Sequence, residues 1–172
     1  VEYDTGPIIW GESGTNSQHS FFQSIHQGTT AVPIEFIGFK ESQYKEDILY
    51  QQTTSQEKLL ANLFAQSIAL AVGQKSDNPN TFFSGNRPNR ILLADRLDPF
   101  TMGAILAFYE HKVAFQGFIW NSNSFDQEGV QLGKQLASKM LEQFLLQRQG
   151  RSMDTKGFAL GVAYLEHLSF GS

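Results

Sequence analysis

The apolar positions of this chain alternate between two kinds of spacing. Continuous apolar runs such as "AVPIEFIGF" (31–39) and "RILLA" (90–94) predict strands buried on both faces. "GPIIWG" (6–11) reads as a short buried strand ending in glycine, and "VAFQGFIW" (113–120) as a further strand. Pro33 places the start of its run at an edge or an irregularity. Between these runs the apolar spacing stretches to three and four. "TNSQHSFFQSIHQG" (15–28) predicts a helix with Thr15 or Asn16 as N-cap, Phe21, Phe22 and Ile25 facing inward, and Gly28 as C-cap. Leu59, Leu60, Leu63, Phe64 and Ile68 predict a second helix, opened by the capping-box pair Thr54 and Glu57 and closed by Gly73. Asp98 before Pro99 opens a third, "DPFTMGAILAFYEHK" (98–112). "SFDQEGVQLGKQLASKML" (124–141) begins a fourth that ends by Gly150, and "MDTKGFALGVAYLEHL" (153–168) a last one. Residues 41–53 are polar and leave their element open, and 74–89 read as a turn-rich loop.

Strand–helix alternation with short apolar strands implies an α/β fold, a mostly parallel sheet covered by helices on both faces. Ligands in such sheets bind beyond the carboxyl ends of the strands, where helices begin. That rule marks "GESGTNSQH" (11–19) and "NSNSFDQEG" (121–129) as candidate site edges. No internal repeat, heptad or low-complexity tract is present. The chain opens on "VEYDTGPIIW", already entering a predicted strand and without an initiating Met, so it is expected to be a piece of something longer.

Composition narrows the classes. At 172 residues the chain is long enough for one domain with a real core, and 15 phenylalanines suit packed layers. A net charge of −4 argues against nucleic-acid binding, which usually shows a basic excess. No apolar run approaches the ~18 residues that span a bilayer, so no membrane role is expected. Zero cysteines exclude disulfides and thiolate chemistry and fit a reducing compartment, with the cytoplasm as the default.

Two residues stand out chemically. Lys134 lies on the apolar side of its predicted helix, in one stripe with Val130, Ala137 and Leu141. Leu132, Leu136, Met140 and Phe144 widen that side, while Glu128, Gln131, Gln135, Lys139 and Glu142 form the polar one. Lysines in such positions commonly snorkel, packing methylenes on the core edge and reaching water with the ammonium. The other reading is a lysine in a partly desolvated cleft that moves protons or binds an oxyanion. His19 falls one turn into the helix after "GESGTN", where backbone amides disfavour added positive charge. A neutral imidazole there could accept or relay a proton, against the plainer reading of a surface histidine. His19 and His26 are seven apart, too far for a one-turn zinc pair, and no third ligand has recognisable spacing. "GESGTN" and "SGNRPN" match no phosphate-loop fingerprint, and no Ser-His-Asp set is present.

Several segments together resemble the C-terminal portion of the glucose-6-phosphate isomerase family: "GPIIWGESGTNSQHSFFQSIHQGT", "LLANLFAQSIAL", "SGNRPN" and "LDPFTMGAILAFYEHKVAFQGFIWNSNSFDQEGVQLGKQLA". Order and spacing match over residues 6–140, and "FDQ-x-GV-x-LGK" is a specific signature. The resemblance implies a sugar isomerase (SIS) fold, a three-layer sandwich with a mostly parallel sheet flanked by helices. Residues 1–172 would form one C-terminal SIS domain of a longer two-domain enzyme. It implies reversible conversion of glucose 6-phosphate to fructose 6-phosphate through a cis-enediolate, in glycolysis and gluconeogenesis, without metal or organic cofactor. By position in "GTN-x-QH", His19 would assist proton transfer in ring opening. Lys134, closing "LGK", would contact the sugar-phosphate substrate and share that step. The resemblance further implies a homodimer with a shared active site. The family's glutamate base belongs to a segment upstream of "GPI-x-WGE", and Glu12 is not that residue. Ser13 stands where the family usually has proline, and Gln131 where the signature usually has Glu. The tail beyond about residue 145 matches poorly. An alternative is a non-catalytic SIS module that binds sugar phosphates or mediates dimer assembly.

Overall fold

The computed structural model describes residues 2–152 and 157–168. The chain forms two compact units, Val1–Trp120 and Asn121–Ser172.

The first unit is built on two parallel strands, β1 (Ile34–Glu41) and β4 (Asn89–Arg96), paired in register from Ile34 opposite Asn89 to Glu41 opposite Arg96. The predicted strands "AVPIEFIGF" and "RILLA" are therefore present, and Pro33 lies just outside the ladder it could not donate to. Between them come a small antiparallel pair, β2 (Leu49–Tyr50) with β3 (Thr53–Thr54), and helix α3 (Ser55–Val72). Gln51 and Gln52 make the β2–β3 turn with φ of 53° and 62°, the left-handed pair that a two-residue hairpin needs. This hairpin falls where the sequence pattern left the element open.

Helix α3 is capped as expected: the Thr54 side chain accepts from the Glu57 amide and the Glu57 carboxylate accepts from the Thr54 amide. Asp47 adds a third bond, accepting from the Gln56 amide at 2.9 Å. Two short helices, α1 (Gly14–Ser17) and α2 (Phe22–Gln27), precede β1. Phe22 and Ile25 of α2 pack on Leu70 of α3, which is fully buried, with Ile34 and Phe36 of β1 and Phe21 at the margin. Gly38 faces α3 so closely that a Cβ there would meet Leu63 at 2.6 Å. Alternate residues of β1 point the other way, where Glu35 meets Tyr109 of α4 (Pro99–Trp120). Helices thus cover both faces of a parallel sheet, the three-layer α/β arrangement that the alternation predicted.

Three local expectations fail. "VAFQGFIW" is no strand; it is the second half of α4. An apolar run of that length cannot be assigned by periodicity alone, and no breaker separates Lys112 from Val113, so extending an existing helix by one bond per residue wins. Helix 15–28 is two helices joined by a turn at 18–21, and the N-cap position is Ser13, whose side chain makes no cap bond, rather than Thr15 or Asn16. "GPIIWG" forms no ladder: Ile8 is 92% exposed and Ile9 72%. A strand is stable only when its backbone groups are paired, and among the described residues nothing pairs with this one.

The second unit holds α5 (Glu128–Arg148) and α6 (Ala159–Glu166), with Gln143 of α5 and Val162 and Leu165 of α6 buried. Gly150, with φ 67°, follows the end of α5 as the sequence predicts. The "SMDTKG" stretch of the expected last helix lies largely outside the described residues. No helix among those described is long and apolar enough to cross a membrane.

Candidate functional site

The segment from Gly11 to His19 is wound into consecutive turns. Ser13 O accepts from the amides of Asn16 (3.1 Å) and Ser17 (3.0 Å), and Asn16 O from that of His19 (3.1 Å). Ser17, buried, returns its hydroxyl to Gly14 O at 3.0 Å. The Trp10 ring stands edge-on to Phe21 with centroids 4.2 Å apart, pinning the leading segment onto the α1–α2 turn. Arg87 holds the far end of α2, donating to His26 O at 3.2 Å and Gly28 O at 2.7 Å, a cation on a helix C-terminus. Gln27 ties the same end to the 79–82 loop through Pro79 O (3.2 Å) and Phe82 O (2.8 Å).

His19 sits in the turn between α1 and α2, with its ring exposed. It follows the C-cap of α1, Gln18, so the expected helix N-terminus does not act on it. Its ring Nε2 lies 3.3 Å from Gln18 Nε2, and Gln18 Oε1 accepts from Gln66 of α3 at 3.4 Å. The broken helix also separates His19 from His26, whose ring packs on Phe83 at 5.3 Å and Phe22 at 6.4 Å. Beside this turn the residues from Pro7 to Gly14, strand β1, the first half of α3 and Tyr109 to Gln116 of α4 bound an open groove of about 1290 Å³.

Lys134 stands in the second unit, on the exposed surface of α5. Its carbonyl accepts from the Ser138 hydroxyl at 3.1 Å, and its ammonium makes no ion pair among the described residues. The apolar stripe it shares is also solvent-facing: Val130 is 53% and Leu141 68% exposed. Of the expected core-facing arc only Met140 and Phe144 are partly buried, beside the buried Gln143.

A polar cluster that sequence reasoning passed over lies on the α4 face of the sheet. Glu35 takes an ion pair from Arg90, its neighbour across the ladder, and a hydrogen bond from the Tyr109 hydroxyl, with Lys112 at 4.0 Å. Burial pushes the Glu35 carboxyl up, but Tyr109, Arg90 and Lys112 outweigh it and hold it below the usual carboxylate range. Burial, and then the bond to Glu35, push the Tyr109 phenol up to about 12. The signal for this cluster was weak, one acidic residue inside an apolar strand.

The phosphoglucose isomerase family model matches residues 1–160. The chain belongs to the phosphoglucose isomerase family. It is 64% identical over 168 residues, 98% of its length, to the glucose-6-phosphate isomerase of Protochlamydia amoebophila, of which it covers 31%. It is 62% identical over 150 residues to that of Desulfotalea psychrophila, covering 87% of this chain and 28% of the relative. The crystal structure of a glucose-6-phosphate isomerase from Chlamydia trachomatis superposes with a TM-score of 0.79 at 57% identity, over 83% of this chain and 28% of that one. The α/β architecture with a parallel sheet flanked by helices is thus shared with a phosphoglucose isomerase of known structure. The chain spans about a third of the length of the curated relatives it matches. The turn carrying His19 and the helix carrying Lys134 both fall inside the residues matched by the family model.

Proposed function

We propose that this chain is a C-terminal SIS portion of a glucose-6-phosphate isomerase, which interconverts glucose 6-phosphate and fructose 6-phosphate. The observation that carries the reading is the 64% identity over 98% of the chain to a protein of that name, a stretch that includes "GTNSQH" and "FDQEGVQLGK". In this reading His19 moves a proton in opening the sugar ring and Lys134 binds the substrate and shares that step. Exposure of both side chains suits groups that meet a ligand. The base that transfers the C1/C2 proton comes from outside these 172 residues, and the enzyme works as a homodimer with no organic cofactor or metal.

The test is a chimera in which this chain replaces the matching segment of the Protochlamydia amoebophila relative. A coupled assay should find isomerase turnover in the chimera and none above background in the 172-residue chain alone. Missing general-base catalysis costs typically 10²–10⁴-fold before lost substrate binding is counted. His19→Ala and Lys134→Ala chimeras should each be impaired as homodimers. A heterodimer of the two should recover about half the parent activity if the sites are shared and independent. Activity in a verified heterodimer no higher than in either mutant would show that each subunit completes its own site. Full turnover by the His19→Ala and Lys134→Ala homodimers would remove both residues from the reaction.

A further inference from the structure

The hydrogen bond to the His19 ring is one end of a short amide chain. Gln66 lies in the middle of α3, half-buried, and its Nε2 reaches Gln18 Oε1 at 3.4 Å. Gln18, half-buried in the turn before His19, places its own Nε2 3.3 Å from His19 Nε2. Among the described residues Gln18 is the hydrogen-bond partner of that ring.

A primary amide has a donor end and an acceptor end, and the two cannot serve the same role. With its oxygen taken by Gln66, Gln18 presents its NH₂ group to the histidine. Only an unprotonated ring nitrogen accepts that bond, so the proton of a neutral imidazole is left on Nδ1. The tautomer of a histidine is set in this way by the bond that its other nitrogen makes. We propose that Gln66, acting through Gln18, is a positioning residue that fixes the ring of His19 with Nε2 as acceptor and the proton on Nδ1. The inference deepens the isomerase reading, on which its catalytic consequence rests: a proton-transferring histidine must present the correct nitrogen. The placement itself is independent of that reading. Helix α3 is held by its capping box and by the buried Leu70, so Gln66 stands on a rigid element while His19 stands on a turn.

The experiment reads ring tautomers in the ¹⁵N-labelled chain by long-range ¹H–¹⁵N spectra, at a pH well above the ordinary imidazole range. The unsubstituted chain is expected to show His19 with a protonated Nδ1 and a bare Nε2. Gln66→Glu replaces the donor by a group that only accepts, so Gln18 must turn its NH₂ toward α3 and its oxygen toward the ring. The proton should then move to Nε2. Gln18→Glu, a change in the turn rather than on α3, should give the same exchange by accepting directly from the ring. Native Trp10 and Phe21 resonances establish that the turn is folded in each variant. A proton on Nε2 in the unsubstituted chain, or the same tautomer in all three proteins, overturns the proposal. In the chimera, Gln66→Glu should lower kcat by about tenfold or more with KM little changed, as wrong-tautomer histidines do. An exchanged tautomer with unchanged kcat would uphold the placement and take His19 out of the reaction.

Discussion

The Tyr109 hydroxyl on α4 donates to the carboxylate of Glu35 on β1, 74 residues away in the chain, and Arg90 of β4 completes the pair. One helix and both strands of the parallel sheet are thereby joined at a single half-buried carboxylate. A deletion of one partner there leaves an ionised group short of a donor, which costs more than the net worth of the bond.

Tyr109→Phe should therefore lower stability by about 1.5–3 kcal/mol, the range for bonds to charged groups. Glu35 is held below its unfolded value, so its contribution is present above about pH 4.5 and is lost as pH falls through the lowered folded value. Tyr109 titrates near 12 when folded and near 10 when unfolded, so its contribution is full below about pH 10 and fades as pH rises toward 12. Urea melts of the two proteins at several pH values check this. The gap between them should be widest from about pH 5 to 10 and narrow on both sides.

Thr54→Ala should cost about 1 kcal/mol, because it removes the acceptor for the Glu57 amide at the start of α3. Thr54→Ser keeps the oxygen and should restore most of that loss. Denaturant midpoints with unchanged slopes are the measurement.

Gly73 and Gly85 cross with φ of +72° and +65°, and a Cβ on either would lie 2.4 or 2.5 Å from backbone oxygen of the other segment. Gly73→Ala or Gly85→Ala should destabilise by more than about 1 kcal/mol, since neither the backbone angle nor the contact can relax cheaply. Gly103 is the opposite case: it lies inside α4, and a methyl added there would meet nothing within 4 Å. Gly103→Ala should stabilise by about 0.5–1 kcal/mol. Thermal melts of the three variants should separate in sign.

Lys134→Ala in the chimera should reduce kcat/KM strongly and leave the melting temperature within a degree or so, because the residue is exposed on α5 and surface substitutions cost little stability. Lys139, on the polar side of the same helix, is the control, and Lys139→Ala should change neither. Equal kinetics for both variants would end the special standing of Lys134.

Much of the fold was legible because its signals are local. The Thr54–Glu57 box, Asp98 before Pro99, and the apolar runs of β1 and β4 each depend on residues a few positions apart, and each appears where the pattern placed it. His19 and Lys134 were singled out as candidates by motif position and, for Lys134, by a cation within an apolar stripe. Their surroundings were not legible. Gln66 reaches Gln18 across 48 residues and Tyr109 reaches Glu35 across 74, contacts that no local spacing encodes.

Sequence by itself determined the element types wherever caps, breakers and periodicity agreed, and the family through its motifs. Tertiary structure decided the rest. "VAFQGFIW" and "GPIIWG" are equally strand-like as strings, yet one continues a helix and the other is unpaired among the described residues. A strand exists only where a neighbour accepts its backbone hydrogen bonds, and a helix supplies its own. That difference is why capped helices can be read along the chain, while which strand-like strings find a partner, and the hydrogen bonds around His19, become visible only in three dimensions.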